Sequence, residues 1–298
     1  MSYIFLVIKG MLFGIANLIP GVSGGTIAVI SGIYDKLINS ISNIFKKFKE
    51  SIKFLSIFLI GAVIAVLLFS KVLSYSQDHF KVATYCLFIG LILGGFPSLY
   101  KVIHKKYNIL NVILMILAFS IVIGLLFIPK GKVQDDDLKL YNYILLFICG
   151  ILASIAMVVP GVSGMMMLEV MGYRELFTDA LNNLTDFSKF IDNMKILVPV
   201  GLGIIVGLFS ACILMSFLLK KYKIQTFFAI IGFVIASVIV LIYKMGVTDS
   251  IPEIIVSIIL IPVGFTLTFL LDYYSNKKEK KELLKEEIND INEEDNNG

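Results

Sequence analysis

Two short stretches place hydrogen-bond donors inside apolar sequence. The first, from Asn17 to Thr26, reads NLIPGVSGGT, and the second, from Met157 to Met166, reads MVVPGVSGMM. In each stretch the proline ends one helix and glycine permits a tight turn. The helix that follows points its free backbone N–H groups and about half a positive charge at the turn. Hydroxyl groups of Ser23, Thr26 and Ser163 add donors, and the whole arrangement is typical of a site for phosphate or another oxyanion.

Two charged residues follow the second motif closely. Arg174 is the only arginine among 26 basic residues, and its planar guanidinium can bind a phosphate through two hydrogen bonds, which lysine cannot copy. Glu169 lies five residues after Gly164 in an apolar run, and a carboxylate at membrane depth is costly and usually functional. We expect Glu169 to carry a proton or to pair with Arg174 or Lys9. A spacing of five is poor for pairing on one ideal helix, so the choice stays open.

The elements that position these residues are membrane helices. Hydrophobic residues make up 58% of the 298 positions and the mean hydropathy is +0.90, values that exclude a soluble globular domain of this length. Apolar runs of about 20 residues match the thickness of a bilayer core. The six runs that we predict to cross fully are 54–75, 84–100, 109–129, 196–219, 225–243 and 252–273.

Two further regions, 3–45 and 141–181, begin as an apolar helix, break at a motif and continue as a short apolar stretch. After Gly21 that stretch extends for about 12 residues, or about 18 Å, which is too short to span. We therefore predict two re-entrant helical hairpins. Lysine clusters then fall on one side, which puts both termini in the cytoplasm and explains the net charge of +4 without a nucleic-acid partner. Two full crossings per region would give the same topology.

The two motifs belong to a repeat with an offset of 140 residues, at which the pentapeptide PGVSG recurs identically. Further matching pairs are Gly32 with Gly172, Asp35 with Glu175, and Gly61 with Gly201. One hairpin plus three crossings is an odd number of crossings, so the second unit must be inverted. The sequence thus predicts an all-α integral membrane protein, an inverted-topology repeat of six transmembrane helices and two re-entrant hairpins. Its units are residues 1–135, residues 136–275 and a charged cytoplasmic tail, 276–298.

Other chemistry finds little support in the sequence. His79 and His104 stand alone in polar connections, and the three cysteines are embedded in apolar segments. We therefore predict no catalytic residue, no metal site and no cofactor. Asp35 and Glu175 are expected at the hairpin ends near water, where ordinary solvation is favoured over a gating or counter-ion role. One structural alternative remains for the motifs, a proline-glycine kink whose small residues let helices pack closely.

The doubled motif, PGVSGGT and PGVSG, each followed by an apolar stretch and a turn at Gly32 or Gly172, resembles that of the bacterial polyprenyl-phosphate transporters of the PopT type. That family was formerly described as a domain of unknown function, and the resemblance covers residues 5–273. It implies a protein of the bacterial cytoplasmic membrane that returns undecaprenyl phosphate to the inner leaflet after cell-wall synthesis. In the second copy two methionines replace Gly25 and Thr26, so equal roles for the two tips are not expected.

The leading hypothesis is a flippase for polyprenyl phosphate, coupled to protons or sodium. Arg174 would clamp the phosphate and Glu169 would couple transport to ion movement. The residues expected to cradle the phosphate are Ser23, Gly24, Gly25, Thr26, Ser163 and Gly164. The alternative is a secondary carrier of a small soluble oxyanion, with the same paired tips around an enclosed aqueous cavity. A lipid phosphatase is disfavoured because that chemistry usually needs a nucleophilic histidine or a metal cluster.

Overall fold

The computed structural model describes residues 3–17, 23–128, 140–183, 190–271 and 273–274, and in these ranges all regular structure is helical. Residues 18–22 of the first motif, the acidic loop at 135–137 and the predicted tail lie outside the described residues. The helices are α1 Tyr3–Asn17, α2 Gly24–Ile30, α3 Tyr34–Ser42, α4 Phe48–His79, α5 Lys81–Ile103, α6 Ile109–Leu126, α7 Leu140–Val158, α8 Gly164–Val170, α9 Arg174–Asn182, α10 Phe190–Lys221, α11 Lys223–Met245 and α12 Ile251–Leu271.

The prediction of an all-α, multi-pass membrane protein is confirmed. Each of the six predicted crossings is a single helix, and α4 and α10 extend several residues beyond their apolar runs at both ends. Lys220 and Lys221 continue α10 because lysine favours helices and a cation stabilises the last turn. By length and composition seven described helices could cross a bilayer, not six. The additional one is α7, which the sequence analysis assigned to the first arm of a hairpin.

Small residues bring the long helices into close contact. A Cβ atom at Gly61 would overlap the carbonyl oxygen of Val7, and one at Gly203 would overlap that of Phe147. Val7 and Phe147 are 140 positions apart, whereas Gly61 and Gly203 are 142 apart. The predicted match of Gly61 with Gly201 is therefore wrong by two residues.

The reason is a difference in connection length between the repeats. Five residues, 43–47, separate α3 from α4, whereas seven residues, 183–189, separate α9 from α10. The alignment by motif therefore holds up to α9 and shifts by two positions from α10 onward.

The arms before the breaks run in the same direction as the long helices beside them. Gly150 of α7 lies against Val200 of α10, and Ser154 lies against Gly207, so residue numbers rise together along both helices. With the rise of about 1.5 Å per residue, this register puts the end of α7 within about one helical turn of the middle of the apolar run 196–219. The chain between the two helices must also return to the side on which α7 begins.

The first repeat has the same construction. Gly10 of α1 lies against Phe58 of α4, and Gly14 lies against Ala62. The end of α1 is therefore level, within about one turn, with the middle of the apolar run 54–75. Both breaks thus occur beside the centre of a helix that is long enough to cross a bilayer.

The short helices after the breaks turn back along the arms before them. A Cβ atom at Gly24 would contact Phe13 at 2.7 Å, and one at Gly164 would contact the carbonyl oxygen of Ala153 at 2.8 Å. Phe13 and Ala153 are equivalent at the offset of 140. At seven residues each, α2 and α8 extend about 10 Å, too short to reach the far side.

The two repeats interlock instead of lying side by side. Gly90 and Gly94 of α5 lie against α12, and Gly232 of α11 lies against α6. The two central helices, α5 and α11, also pack on each other. Residues 1–135 and 136–275 therefore exchange helices across their boundary, and the inverted orientation of the two units stays a prediction.

A pair of neighbouring glycines tests this packing. Gly203→Ala places a methyl group against the Phe147 backbone, whereas a Cβ atom at Gly201 meets nothing within 4 Å. We expect Gly203→Ala to reduce the free energy of unfolding by about 1–3 kcal/mol because the packed backbones must separate. Gly201→Ala should be neutral or stabilising by up to about 1 kcal/mol, since alanine is the better helix former. Thermal unfolding in detergent measures both, and equal midpoints would contradict the packing.

Candidate functional site

The broken tips of the two repeats touch each other. The backbone N–H of Gly161 donates a hydrogen bond of 2.7 Å to Oγ1 of Thr26, across 135 residues of sequence. A Cβ atom at Gly25 would lie 2.9 Å from the carbonyl oxygen of Met157. The absence of a side chain at Gly25 therefore allows α2 to approach the end of α7 closely.

The serines that precede α2 and α8 share one backbone conformation. Ser23 has φ −102° and ψ 130°, and Ser163 has φ −98° and ψ 133°. Neither side chain caps the helix that it precedes, so neither hydroxyl is used by its own helix N-terminus. Gly161 has φ +86°, a left-handed conformation that glycine adopts without strain.

The hydroxyl group of Ser23 is buried at the start of α2. The residue is 3% exposed, and its Oγ has no hydrogen-bond partner among the described residues. A buried hydroxyl left unpaired costs about 1–3 kcal/mol, so a ligand oxygen that paired with it would recover that free energy. Ser163, its equivalent, is half-buried.

Thr26 connects the tips. It is completely buried, and its hydroxyl oxygen accepts the Gly161 hydrogen bond. The equivalent position holds Met166, whose thioether sulfur is only a weak hydrogen-bond acceptor. Thr26 therefore contributes to the junction between the tips whether or not it also contacts a ligand.

Glu169 and Arg174 form an ion pair, which answers the question that their spacing left open. A guanidinium nitrogen lies 3.1 Å from Oε1 of the carboxylate, and the two side chains are 42% and 18% exposed for Arg174 and Glu169. The rule for an ideal helix did not apply, because Glu169 lies on α8 and Arg174 begins α9. Between them Gly172, at φ +87°, turns the chain so that the two side chains meet.

Tyr34 is a site residue that the sequence analysis missed. Its hydroxyl donates a hydrogen bond of 2.7 Å to the carbonyl oxygen of Val158, at the end of α7 in the other repeat. At the offset of 140, Tyr34 is the equivalent of Arg174, and Val29 is the equivalent of Glu169. A comparison of the two copies could therefore have identified Tyr34 from the sequence. The same position thus carries a buried tyrosine in one repeat and a half-exposed arginine in the other.

The two sides of the site differ in exposure. Every residue of α2 is buried, whereas Met165 of α8 is 41% exposed. Glu175 is exposed as expected, but its equivalent Asp35 is half-buried. Burial raises the pKa of the Asp35 carboxyl, and the nearby Lys223 partly opposes that rise. The compared residues of α8 and α9 are therefore more exposed than their counterparts in α2 and α3.

The structure also describes the cysteines, the possible metal ligands and Lys9. The described residues contain no group of three or more histidine, cysteine, aspartate or glutamate side chains that could hold a metal. Cys86, Cys149 and Cys212 are buried free thiols. Lys9, which the sequence analysis named as an alternative partner for Glu169, is buried in α1 at 2% exposure.

Comparison with known proteins shows similarity to a described family and to two transporters. Residues 13–254 match the model of the VCA0040-like family, described as undecaprenyl phosphate translocase-like. A polyprenyl-phosphate transporter of Staphylococcus aureus is 32% identical over 281 residues, which cover 89% of this chain and 94% of that protein. A polyprenyl-phosphate transporter of Vibrio cholerae is 27% identical over 251 residues, 80% of this chain and 77% of that protein.

No solved structure matches the chain. The matched range covers most of the sequence. It contains the residues of both motifs, of the Glu169–Arg174 pair and of the contact between the tips. The chain belongs to the undecaprenyl phosphate translocase-like family.

Proposed function

We propose that this protein is a flippase that returns undecaprenyl or a related polyprenyl phosphate from the outer to the inner leaflet of the bacterial cytoplasmic membrane for cell-envelope synthesis. The names of the two relatives support the substrate class. The observation that carries the proposal is the direct contact of the two broken tips beside a buried serine hydroxyl that has no hydrogen-bond partner in the described part of the chain. Polar groups gathered in this way suit a phosphate headgroup, while the apolar outer surface of the helices suits its lipid tail.

The proposal includes two re-entrant hairpins that enter from opposite sides. Three observations support it: each arm before a break is parallel to the long helix beside it, each break is level with the middle of that helix, and the following helix is too short to cross. Irregular backbone at that depth is tolerated only where protein buries it or a polar cavity solvates it. The proposed headgroup path runs along the tips because a helix that starts there presents free backbone N–H groups at mid-depth.

The headgroup site is proposed to combine neutral donors with one cation. Taking a phosphate monoester out of water is costly unless hydrogen bonds and a positive charge replace its hydration. The neutral donors are the hydroxyls and backbone N–H groups of Ser23, Gly24, Gly25, Thr26, Ser163 and Gly164. Arg174 supplies the charge. Its equivalent, Tyr34, reaches the opposite tip with its hydroxyl, so a longer guanidinium at the same position is well placed to reach the site.

Glu169 is proposed to couple transport to ion movement. In the structure its carboxylate neutralises Arg174. An arriving phosphate would compete for the guanidinium and would leave the carboxylate facing an anion. Uptake of a proton by Glu169 removes that repulsion, so one proton, or one sodium ion bound in its place, would accompany each headgroup. The exchange of partners at Arg174 thereby links binding of the lipid to binding of the ion.

The first test measures the substrate in cells. Depletion of the protein from a strain without a redundant transporter should increase undecaprenyl phosphate on the outer surface several-fold, because the lipid is no longer returned. The amount can be measured with a surface-directed ligand of the lipid phosphate. Unchanged surface levels would reject the proposed function.

The second test separates the lipid from a soluble anion. In proteoliposomes, transport of a labelled polyprenyl phosphate should continue in the presence of millimolar inorganic phosphate, because the lipid reaches the site from the bilayer. Uptake of phosphate or another soluble oxyanion without any lipid transport would favour the alternative carrier.

Single substitutions test the headgroup site. We expect Ser23→Ala and Arg174→Lys each to reduce lipid transport by about 10- to 150-fold, the range that corresponds to a lost hydrogen bond to a charged group. Ser237→Ala is a matched control, because Ser237 is also a buried serine but bonds only to Val234 within α11. If both site variants transported at the rate of the control, the proposed site would be wrong.

A further substitution tests the coupling. Glu169→Gln should retain lipid binding, because glutamine has a similar shape and removes a competitor for Arg174. Transport by this variant should no longer respond to an imposed pH or sodium gradient. A gradient response equal to that of the unaltered protein would show that Glu169 is not the coupling group.

A further inference from the structure

The first repeat holds its short helices more tightly than the second repeat does. In the first repeat α2 packs on α5, where a Cβ atom at Gly95 would overlap Ile30, and α3 packs on α10. The equivalent pairs in the second repeat are α8 with α11 and α9 with α4. Met167 of α8 packs in a cluster with Ala236 and Val240 of α11, but within the described residues the backbones of these equivalent pairs do not approach each other as closely. The two halves of one repeat architecture are thus in two different arrangements within a single molecule.

Side-chain contacts join the short helices of the first repeat to the second repeat. The Tyr34 hydroxyl donates to the Val158 carbonyl at 2.7 Å, and the Ser216 hydroxyl of α10 donates to Oδ1 of Asn39 at 2.8 Å. The ring of Phe45 also stacks on that of Phe209, with their centroids 5.9 Å apart. All three contacts join the α3 region to the other repeat.

The equivalent positions in the looser half carry charge and contact solvent. Arg174 replaces Tyr34, and Asp179 replaces Asn39 at the offset of 140. Asp179 is exposed and Arg174 is 42% exposed. A charged side chain loses its hydration when a helix closes over it, whereas a tyrosine or asparagine loses much less. The residues themselves therefore favour closure of the first half and opening of the second half.

We infer that α2 and α3 form a closed gate in this structure, that α8 and α9 form the open gate, and that the Tyr34–Val158 hydrogen bond is the latch of the closed gate. The inference rests on the proposed function, because it describes the regulation of access to the same site. In the opposite state α2 and α3 leave α5 and α10, and α8 and α9 pack on α11 and α4. A phosphate headgroup bound from the side of α8 would then leave on the side of α2.

The first experiment measures the gate without measuring transport. Ser31 ends α2, is 1% exposed and bonds only to carbonyl oxygens of its own helix, so Ser31→Cys is a tolerable reporter of gate opening. Addition of Tyr34→Phe should increase the rate at which a membrane-impermeant maleimide labels this cysteine. A neutral hydrogen bond shifts an equilibrium by about two- to tenfold, which sets the expected increase. The protein without the reporter cysteine supplies the background of its three native thiols.

Tyr173→Phe is the matched control. Tyr173 is also buried, but its hydroxyl bonds to Asn142 within its own repeat. Its removal should leave the labelling of the reporter unchanged. Equal labelling in the Tyr34→Phe and Tyr173→Phe backgrounds would overturn the latch.

The second experiment locks the gate. The double variant Asn39→Cys, Ser216→Cys places two thiols where the structure has a hydrogen bond between α3 and α10. Oxidation to the disulfide should reduce lipid transport at least about tenfold, and reduction should restore it, which excludes misfolding as the cause. Undiminished transport by the fully oxidised protein would overturn the gate.

These two readouts separate the gate from the proposed function. If the labelling shifts but even the reduced protein transports no polyprenyl phosphate, the gate is supported and the proposed substrate is rejected. If the labelling does not shift and the lipid is transported despite the disulfide, the proposed function is supported and the gate is rejected.

Discussion

A helix that breaks inside a membrane must find partners for the backbone groups that the break exposes. This chain solves the problem by placing one break against another. The Gly161 N–H meets the Thr26 hydroxyl, and the Val158 carbonyl meets the Tyr34 hydroxyl. Both bonds satisfy backbone groups of the second tip with side chains of the first. The glycines, the short α2 and α8 and the parallel long helices all serve to bring these groups together.

The same constraint explains why the tips are suited to an anion. The packing of both repeats holds the backbone at their junction in place. Donors at the junction that remain free are therefore not able to move and bond to a neighbouring group instead. Ser23 is such a donor, buried and unpaired among the described residues. Arg174 and Glu169 add a pair of charges that a phosphate can separate. We therefore propose that the tips cradle the headgroup and that an ion accompanies it.

Much of the fold could be predicted because membrane helices follow length and hydropathy, and the two motifs are nearly identical. The ion pair of Glu169 with Arg174 could not be predicted, because it depends on a turn at Gly172 that brings α9 back to α8. The alignment of Gly61 with Gly201 failed because a two-residue difference in a polar connection leaves no signal in the motifs. Tyr34 was missed because a tyrosine among apolar residues resembles core, and only its equivalence to Arg174 marks it.

The central claim is that the paired tips hold a phosphate headgroup at mid-depth. A structure of the protein in a lipid nanodisc with bound polyprenyl phosphate tests this most directly, because phosphorus is the heaviest atom of that ligand and gives its strongest density. We expect its density between the two tips, within hydrogen-bonding distance of Ser23 and Arg174, and a lipid tail that leaves between the helices toward the bilayer. A phosphate bound elsewhere, with the junction of the tips unchanged and dry, would contradict the account.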